Sequence, residues 1–184
     1  MNAVIDTSSL LAFVRYYLPF DTKNKFKNLV KSKFESGEII ILDKIVSESK
    51  YIAKGIILTE LDFIKETTKE IIKTNSLIPS KKFYNLLDNQ FCNKDIIKLK
   101  GITETEFELE KTRFLNSPDA SLILYALTIK NENPIIITEE TKTANDNKIF
   151  KKIPEICHSI ALESCSIPNL FKDHFKIDLS ELLK

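Results

Sequence analysis

Short, uninterrupted apolar runs separated by helical patterns are the feature that most constrains the fold of this chain. The runs lie at residues 2–5, 39–42 and 135–137. Unbroken apolar character is typical of a strand that is buried on both faces. The segments between the runs repeat apolar residues at helical spacing. Strands that alternate with helices predict an α/β fold, in which helices cover both faces of a parallel sheet and the crossovers are right-handed.

The length of 184 residues fits one domain, and we expect residues 1–184 to form it. Between residues 56 and 101 the apolar spacing stays helical without a further strand run. We therefore expect an all-helical insertion or lid in that stretch. The chain has only 3 Gly and neither GxGxxG nor a P-loop, which argues against a nucleotide site built on a glycine-rich phosphate cradle.

The positive and negative side chains nearly cancel, 27 against 26, so no whole-molecule field favours nucleic acid. Lysine clusters provide local positive charge, which either neutralises phosphates or forms an ordinary solvated surface. They comprise Lys23, Lys25, Lys27, Lys31 and Lys33, and then Lys142, Lys148, Lys151 and Lys152. The apolar stretch at residues 10–20 is interrupted by Arg15, which fits neither a signal peptide nor a membrane span. We expect a cytoplasmic protein without membrane contact.

Acidic side chains stand at the ends of two predicted strands. Asp6 ends the first run, and Glu139 and Glu140 follow residues 135–137. In parallel α/β sheets, ligands bind beyond the carboxyl ends of the strands. For Asp6 the structural alternative is a carboxylate that accepts hydrogen bonds from the following turn. For the two glutamates the alternative is a polar loop start, and since neighbouring side chains diverge, at most one of them is expected to face Asp6.

Two further acids lie on predicted helices. Glu48 is on a helix that begins at Asp43, and its alternative is an exposed ion pair with a nearby lysine. Asp119 follows Ser117 and Pro118, and its alternative is an acid in the first turn of a capped helix. Several converging carboxylates repel one another unless a divalent cation such as Mg²⁺ or Mn²⁺ neutralises them. Such a cation can activate a water for attack on a phosphodiester without any protein nucleophile.

The motifs around these acids resemble those of the PIN-domain nucleases, a family that includes the toxins of VapC-type toxin–antitoxin pairs. The opening VIDTSSLLAF resembles the family's first strand, with Asp6 as the first acid and Ser8 as a supporting hydroxyl. The segment DKIVSES resembles the second motif and makes Glu48 the helix-borne acid.

Two later segments complete the resemblance, which spans residues 3 to about 175. SPDASLILYAL resembles the third motif, with Asp119 at the helix start, and IIITEET resembles the fourth strand, with Thr138 and Glu140. The fourth acid is Glu where the family more often has Asp, so Glu139 and Glu140 both stay candidates. The TEE ending and the later KIPEIC segment are most similar to an uncharacterised bacterial and archaeal subgroup of PIN-like proteins.

The resemblance implies a Rossmann-like three-layer α/β/α domain and a Mg²⁺ or Mn²⁺ site formed by Asp6, Glu48, Asp119 and Glu140. It also implies endoribonuclease activity and an antitoxin protein that occupies the groove, and a homodimer is a further option. The competing hypothesis is a PIN-like scaffold without catalysis that binds RNA or a protein partner. On that reading the helical insertion carries the function.

Overall fold

Four short strands form the sheet at the centre of the computed structural model, which describes residues 1–66, 71–141 and 147–183. They are β1 (Ala3–Ile5), β2 (Ile39–Ile40), β3 (Ile135–Ile137) and β4 (Glu163–Cys165). The strands are all parallel, in the order β2-β1-β3-β4. Ala3 lies opposite both Ile39 and Ile135. The predicted parallel sheet is therefore confirmed, and β4 forms one of its edges.

Helices fill most of the chain between the strands. In chain order they are α1 (Thr7–Ala12), α2 (Lys25–Glu35), α3 (Asp43–Ser49), α4 (Ile56–Glu60), α5 (Phe63–Glu66), α6 (Lys81–Leu86), α7 (Lys94–Leu99), α8 (Glu104–Asn116), α9 (Pro118–Thr128), α10 (Ile153–Ser159), α11 (Ile167–Asn169) and α12 (Leu179–Leu182). Helices α1, α6 and α11 each continue into a π-helical turn. In the described parts of the chain, none of these helices has the length and apolar character needed to cross a membrane.

The sheet is covered on both faces. Every side chain of β1 and β3 is buried, and successive residues of a strand point to opposite faces. Helix α9 packs against β1 and β3, while α2 packs against β2 and α12. The buried apolar side chains of the described residues form one hydrophobic cluster around the sheet. This arrangement confirms the predicted α/β/α layering.

The stretch from residue 56 to 101 is less uniformly helical than the sequence predicts. It contains α4 to α7, but residues 71–80 form no helix. Ile72 instead pairs with Leu42 in a parallel bridge, so this segment lies along the β2 edge of the sheet. Phe83 and Phe91 are buried in the common core. Apolar burial therefore anchors this insertion to the rest of the fold, while its residues 67–70 lie outside the described residues.

A change of direction in the chain path creates a crevice at the carboxyl ends of β1 and β3. From β1 the chain crosses to β2 on one side, and β3 then pairs with the other side of β1. At such a switch point, the loops after the two central strands diverge and leave space between them. Asp6 follows β1 and Thr138 follows β3, so the predicted acids at the strand ends border this crevice.

Candidate functional site

Three hydrogen bonds hold the carboxylate of Asp6 in place. Its side chain is 3% exposed, and it caps α1 by accepting a hydrogen bond from the Ser9 amide at 2.7 Å. Its second carboxylate oxygen accepts from the hydroxyls of Ser8, at 2.8 Å, and Thr138, at 2.7 Å. Burial raises the pKa of Asp6, and these hydrogen bonds oppose the increase because they stabilise the charged form. Asp6 therefore does accept hydrogen bonds from the turn after β1, as its structural alternative predicted. Its contact with Thr138 also ties the ends of β1 and β3 together.

Glu48 is oriented by the residue that follows Asp6. The hydroxyl of Thr7 donates a hydrogen bond to the Glu48 carboxylate, which connects α3 to the start of α1. Lys44, one of the lysines available for a surface ion pair, donates instead to the backbone oxygen of Asn116 at 3.1 Å. Glu48 is therefore directed toward the strand end. Sequence reasoning missed Thr7, although its hydroxyl directly after the strand acid was the available signal.

Asp119 is the acid whose pKa responds to the charges of the other three predicted acids. It lies in the first turn of α9, where Ser117 caps the helix by accepting from the Ala120 amide at 3.1 Å. Burial is the largest cause of its raised pKa, followed by the charges of Glu140, Asp6 and Glu48. Together they raise the pKa of Asp119 to about 7, against the opposing effect of Lys148. The predicted helix cap is confirmed, and the same carboxylate is near enough to three other acids for their charges to raise its pKa.

The two adjacent glutamates point to different places. Glu140 accepts a hydrogen bond from the Ile153 amide at 2.9 Å and raises the pKa of Asp119. Glu139 accepts from the Ile167 amide at 2.7 Å, and its charge raises the pKa of Tyr17, although less than burial does. Of the two, Glu140 is therefore the one that shares the surroundings of Asp119. Glu139 holds the start of α11.

The supporting residues Ser8 and Thr138 fix the loop after β3 to Asp6. Each hydroxyl donates to Asp6 and also accepts a backbone hydrogen bond from the loop. Ser8 accepts from the Glu139 amide at 3.0 Å, and Thr138 accepts from the Glu140 amide at 3.1 Å. A single network therefore sets the position of the first acid and the direction of the two glutamates.

The chemistry of this donor set fits a hard divalent cation, although the side chains are not gathered into a coordination sphere. Carboxylate oxygens are the ligands preferred by Mg²⁺. Burial first, and then the charges of three other acids, raise the pKa of Asp119, and a bound cation would favour its ionised form against both effects. Within residues 1–66, 71–141 and 147–183, no three or more His, Cys, Asp or Glu side chains are close enough to hold a metal ion. Asp6, Glu48 and Glu140 each accept hydrogen bonds from protein donors instead. The ligand assignment stays a prediction.

A cavity of about 430 Å³ adjoins the acids, and Asp119 and Glu140 line it. Its other walls include the lysine that follows α7 and lysines from the segment before α10, namely Lys100, Lys148, Lys151 and Lys152. The second predicted lysine cluster thus lies beside the acids, although its member Lys142 falls outside the described residues. Lys100 was not anticipated, because it is 48 residues away from Lys148 in sequence and only the packing of α7 brings it near.

Comparison with known proteins gives a family and no activity. A search of curated proteins and a search of solved structures each found no match. Residues 4–174 match the profile of a family described as a domain of unknown function, DUF4411. The match covers both strand-end motifs, both acid-bearing helices and the insertion between them. The chain therefore belongs to the DUF4411 family.

Proposed function

We propose that this protein is a metal-dependent endoribonuclease of PIN type that hydrolyses RNA phosphodiesters at the crevice between β1 and β3. The observation that carries the proposal is the setting of Asp119, a partly buried carboxylate whose pKa is raised by burial and by the charges of Glu140, Asp6 and Glu48. Placing a partly buried carboxylate within the electrostatic range of three other acids costs free energy unless a cation offsets the repulsion. Cation-dependent chemistry gives that arrangement a function.

The site residues have two roles in this proposal, metal binding and support of Asp6. Asp6, Glu48, Asp119 and Glu140 would hold the Mg²⁺ or Mn²⁺. When bound, the cation supplies a water of lowered pKa and neutralises charge on the phosphate. Ser8 and Thr138 keep Asp6 oriented through their hydroxyls. In the reaction, the oxygen of water bonds to phosphorus, the bond from phosphorus to one ribose oxygen breaks, and that oxygen receives a proton.

Cleavage assays with Asp6→Asn test the proposal. Asn has the size of Asp and retains an acceptor for the Ser9 amide, so the turn into α1 should survive. We expect the purified protein to cleave labelled RNA with Mn²⁺ or Mg²⁺ and not in EDTA, and Asp6→Asn to lower the rate by roughly 100-fold or more. If structured and single-stranded RNAs both stay intact with Mn²⁺, or if the variant cleaves as fast as the unchanged protein, the proposal is wrong.

Glu139 and Glu140 offer a matched pair, because they are neighbours and each accepts one backbone hydrogen bond. Gln preserves an acceptor at either position and removes only the charge. We expect Glu140→Gln to lose cleavage and weaken Mn²⁺ binding, and Glu139→Gln to retain both. The opposite pattern would assign the fourth ligand to Glu139.

A scaffold without catalysis is the second candidate. The observation in its favour is that no group of three possible ligands is close enough to hold a metal among the described residues. Isothermal titration calorimetry with Mn²⁺ separates the two candidates. A binding heat that disappears in Asp119→Asn supports the nuclease, whereas the absence of any carboxylate-dependent binding supports the scaffold.

We also propose that the protein acts in the cytoplasm as the toxin of a toxin–antitoxin pair, with a small antitoxin protein bound over the crevice. Support for this part comes from the resemblance of the motifs around Asp6 and Asp119 to VapC-type toxins. Induced expression in a bacterial host should arrest growth, and Asp6→Asn should not. Equal growth of cells that express either protein at matched levels would remove the toxin assignment and leave the nuclease proposal to the assays above.

A further inference from the structure

The cavity beside Asp119 and Glu140 is lined by both negative and positive side chains. Asp119 and Glu140 line it at the crevice, and the third acid that lines it, Glu110, is paired with Arg113. The four lysines Lys100, Lys148, Lys151 and Lys152 provide the positive charge. Its volume of about 430 Å³ is within the range of clefts that hold one small ligand. A nucleotide fits this distribution of charge. Its phosphates need positive side chains, and the phosphate to be cleaved must lie at the acids.

The structure also separates the two lysine clusters of the sequence. Three members of the first cluster are already paired with protein acids. These pairs are Lys27 with Asp62 at 3.1 Å, Lys31 with Glu35 at 3.8 Å, and Lys33 with Glu38 at 2.8 Å. The first cluster contributes no residue to the cavity among those that line it. Its charge therefore belongs to the surface around α2.

The second cluster lines the cavity, although one of its members, Lys151, is paired with Glu155 at 3.1 Å. Lys148 is near enough to Asp119 to lower its pKa, and it is exposed to solvent. Lys152 donates to the Thr141 backbone oxygen at 3.4 Å, next to Glu140. Lys100 donates to the backbone oxygen of Asn147, which joins α7 to the segment that carries Lys148. These contacts hold positive charge close to the acids.

Aromatic rings form another wall of the cavity. Phe114 and Phe150 both line it, and their rings stack with centroids 4.4 Å apart and planes 17° apart. Phe107 stacks on Phe150 as well, at 6.0 Å. Phe114 is only partly buried. A ring held in place by stacking, next to lysines, is a surface on which an unpaired base can stack.

We propose that this cavity binds one nucleotide of single-stranded RNA next to the scissile phosphate, with Lys148 and Lys152 at its phosphate and Phe114 at its base. The proposal rests on the nuclease function argued above and specifies its substrate. Duplex RNA is excluded as a preferred substrate because its bases are already stacked and paired. The acids then select where the strand is cut, and the cavity selects an unpaired strand.

The test measures RNA binding without cleavage. Fluorescence anisotropy with a labelled single-stranded 12-mer RNA is recorded in EDTA, using the full chain. We expect the double variant Lys148→Gln/Lys152→Gln to bind roughly tenfold more weakly and to show a shallower salt dependence, because two phosphate contacts are lost. Lys23→Gln/Lys25→Gln removes the same charge from exposed positions and should change affinity by less than about twofold if only the second cluster contacts phosphate.

The aromatic wall is tested separately. Phe114→Leu should weaken binding of the 12-mer by about fivefold or more, the effect of one lost base stack, whereas Tyr51→Leu, at an 83% exposed ring, should not. Thermal melts establish that both variants fold. A double-stranded 12-mer should compete poorly.

The outcomes distinguish this inference from the nuclease proposal. If the RNA is cleaved with Mn²⁺ and the Lys148→Gln/Lys152→Gln variant has unchanged affinity and KM, the cavity proposal is wrong and the nuclease stands. If the RNA binds through the cavity but is never cleaved, the cavity proposal stands as a binding site and the nuclease is wrong. Equal affinity for duplex and single strand, or no RNA binding at all, also overturns the cavity proposal.

Discussion

Replacing Asp119 with Asn should stabilise the protein while it removes the proposed activity. The native fold raises the pKa of this carboxyl from 3.8 to about 7, through burial and the charges of Glu140, Asp6 and Glu48. Each tenfold change in proton affinity is worth about 1.4 kcal/mol. Ionised Asp119 therefore costs the folded state about 4 kcal/mol at alkaline pH, relative to the unfolded chain. Asn has no charge and avoids this cost.

The sign of the pH dependence follows from the raised pKa. Between pH 3.8 and about 7 the folded protein holds a proton at Asp119 that the unfolded chain has released. The free energy of unfolding contributed by this group therefore falls as pH rises through that window. From the two pKa values, roughly 3 kcal/mol of the loss occurs between pH 5 and pH 8. Asp119→Asn should lack this loss.

Urea unfolding at pH 5 and pH 8, in EDTA, measures the effect as a difference between the unchanged protein and the variant. The variant's advantage should grow by roughly 3 kcal/mol between the two pH values. Asp95→Asn is the matched control, because Asp95 occupies the equivalent first-turn position of α7 but is exposed. It should lower stability slightly at both pH values, since an acid near a helix N-terminus is favourable.

At pH 8, added Mn²⁺ should make the unchanged protein more stable than Asp119→Asn. A cation held by the carboxylates stabilises the unchanged protein, because ligand binding to the native state adds to the free energy of unfolding. The variant, with one ligand removed, should gain less. The reasoning fails if the variant and the unchanged protein show the same pH dependence within about 0.5 kcal/mol, because then burial and the neighbouring acids do not raise the pKa of Asp119.

Two further substitutions examine the supporting contacts. Thr138→Val removes the hydroxyl that donates to buried Asp6 at 2.7 Å. We expect it to lower the free energy of unfolding, measured in urea, by about 1–3 kcal/mol. The control Thr128→Val, at an exposed helical position, should lower it much less. A loss no larger than the control's would contradict the role given to this hydroxyl. Ser117→Ala removes the N-cap of α9 and should cost about 1 kcal/mol and weaken Mn²⁺ binding at the site that includes Asp119. Unchanged stability would show that the cap is dispensable.

Much of the architecture was predictable from local patterns. Unbroken apolar runs placed β1, β2 and β3, and Ser117 followed by Pro118 placed the start of α9. These features depend on neighbouring residues, since strand burial and helix capping leave their signal within a few positions. The edge pairing of Ile72 with Leu42 left no such signal. It depends on a contact between residues 30 positions apart in sequence.

The candidate site was also predictable only in part. The sequence identified Asp6, Glu48 and Asp119 as candidates but could not choose between Glu139 and Glu140, because adjacent residues share every local pattern. The structure separates them by their partners, the Ile153 amide for Glu140 and the Ile167 amide for Glu139.

By itself, the sequence determined the layered α/β fold and the position of acids at the strand ends, because hydrophobic periodicity and turn chemistry are local properties. Only the tertiary structure decided which glutamate shares the surroundings of Asp119 and which lysine cluster lies beside the acids. Burial and Coulomb interactions depend on distance in space. The carboxyl of Asp119 acquires its raised pKa from residues that are 21 to 113 positions away in the chain.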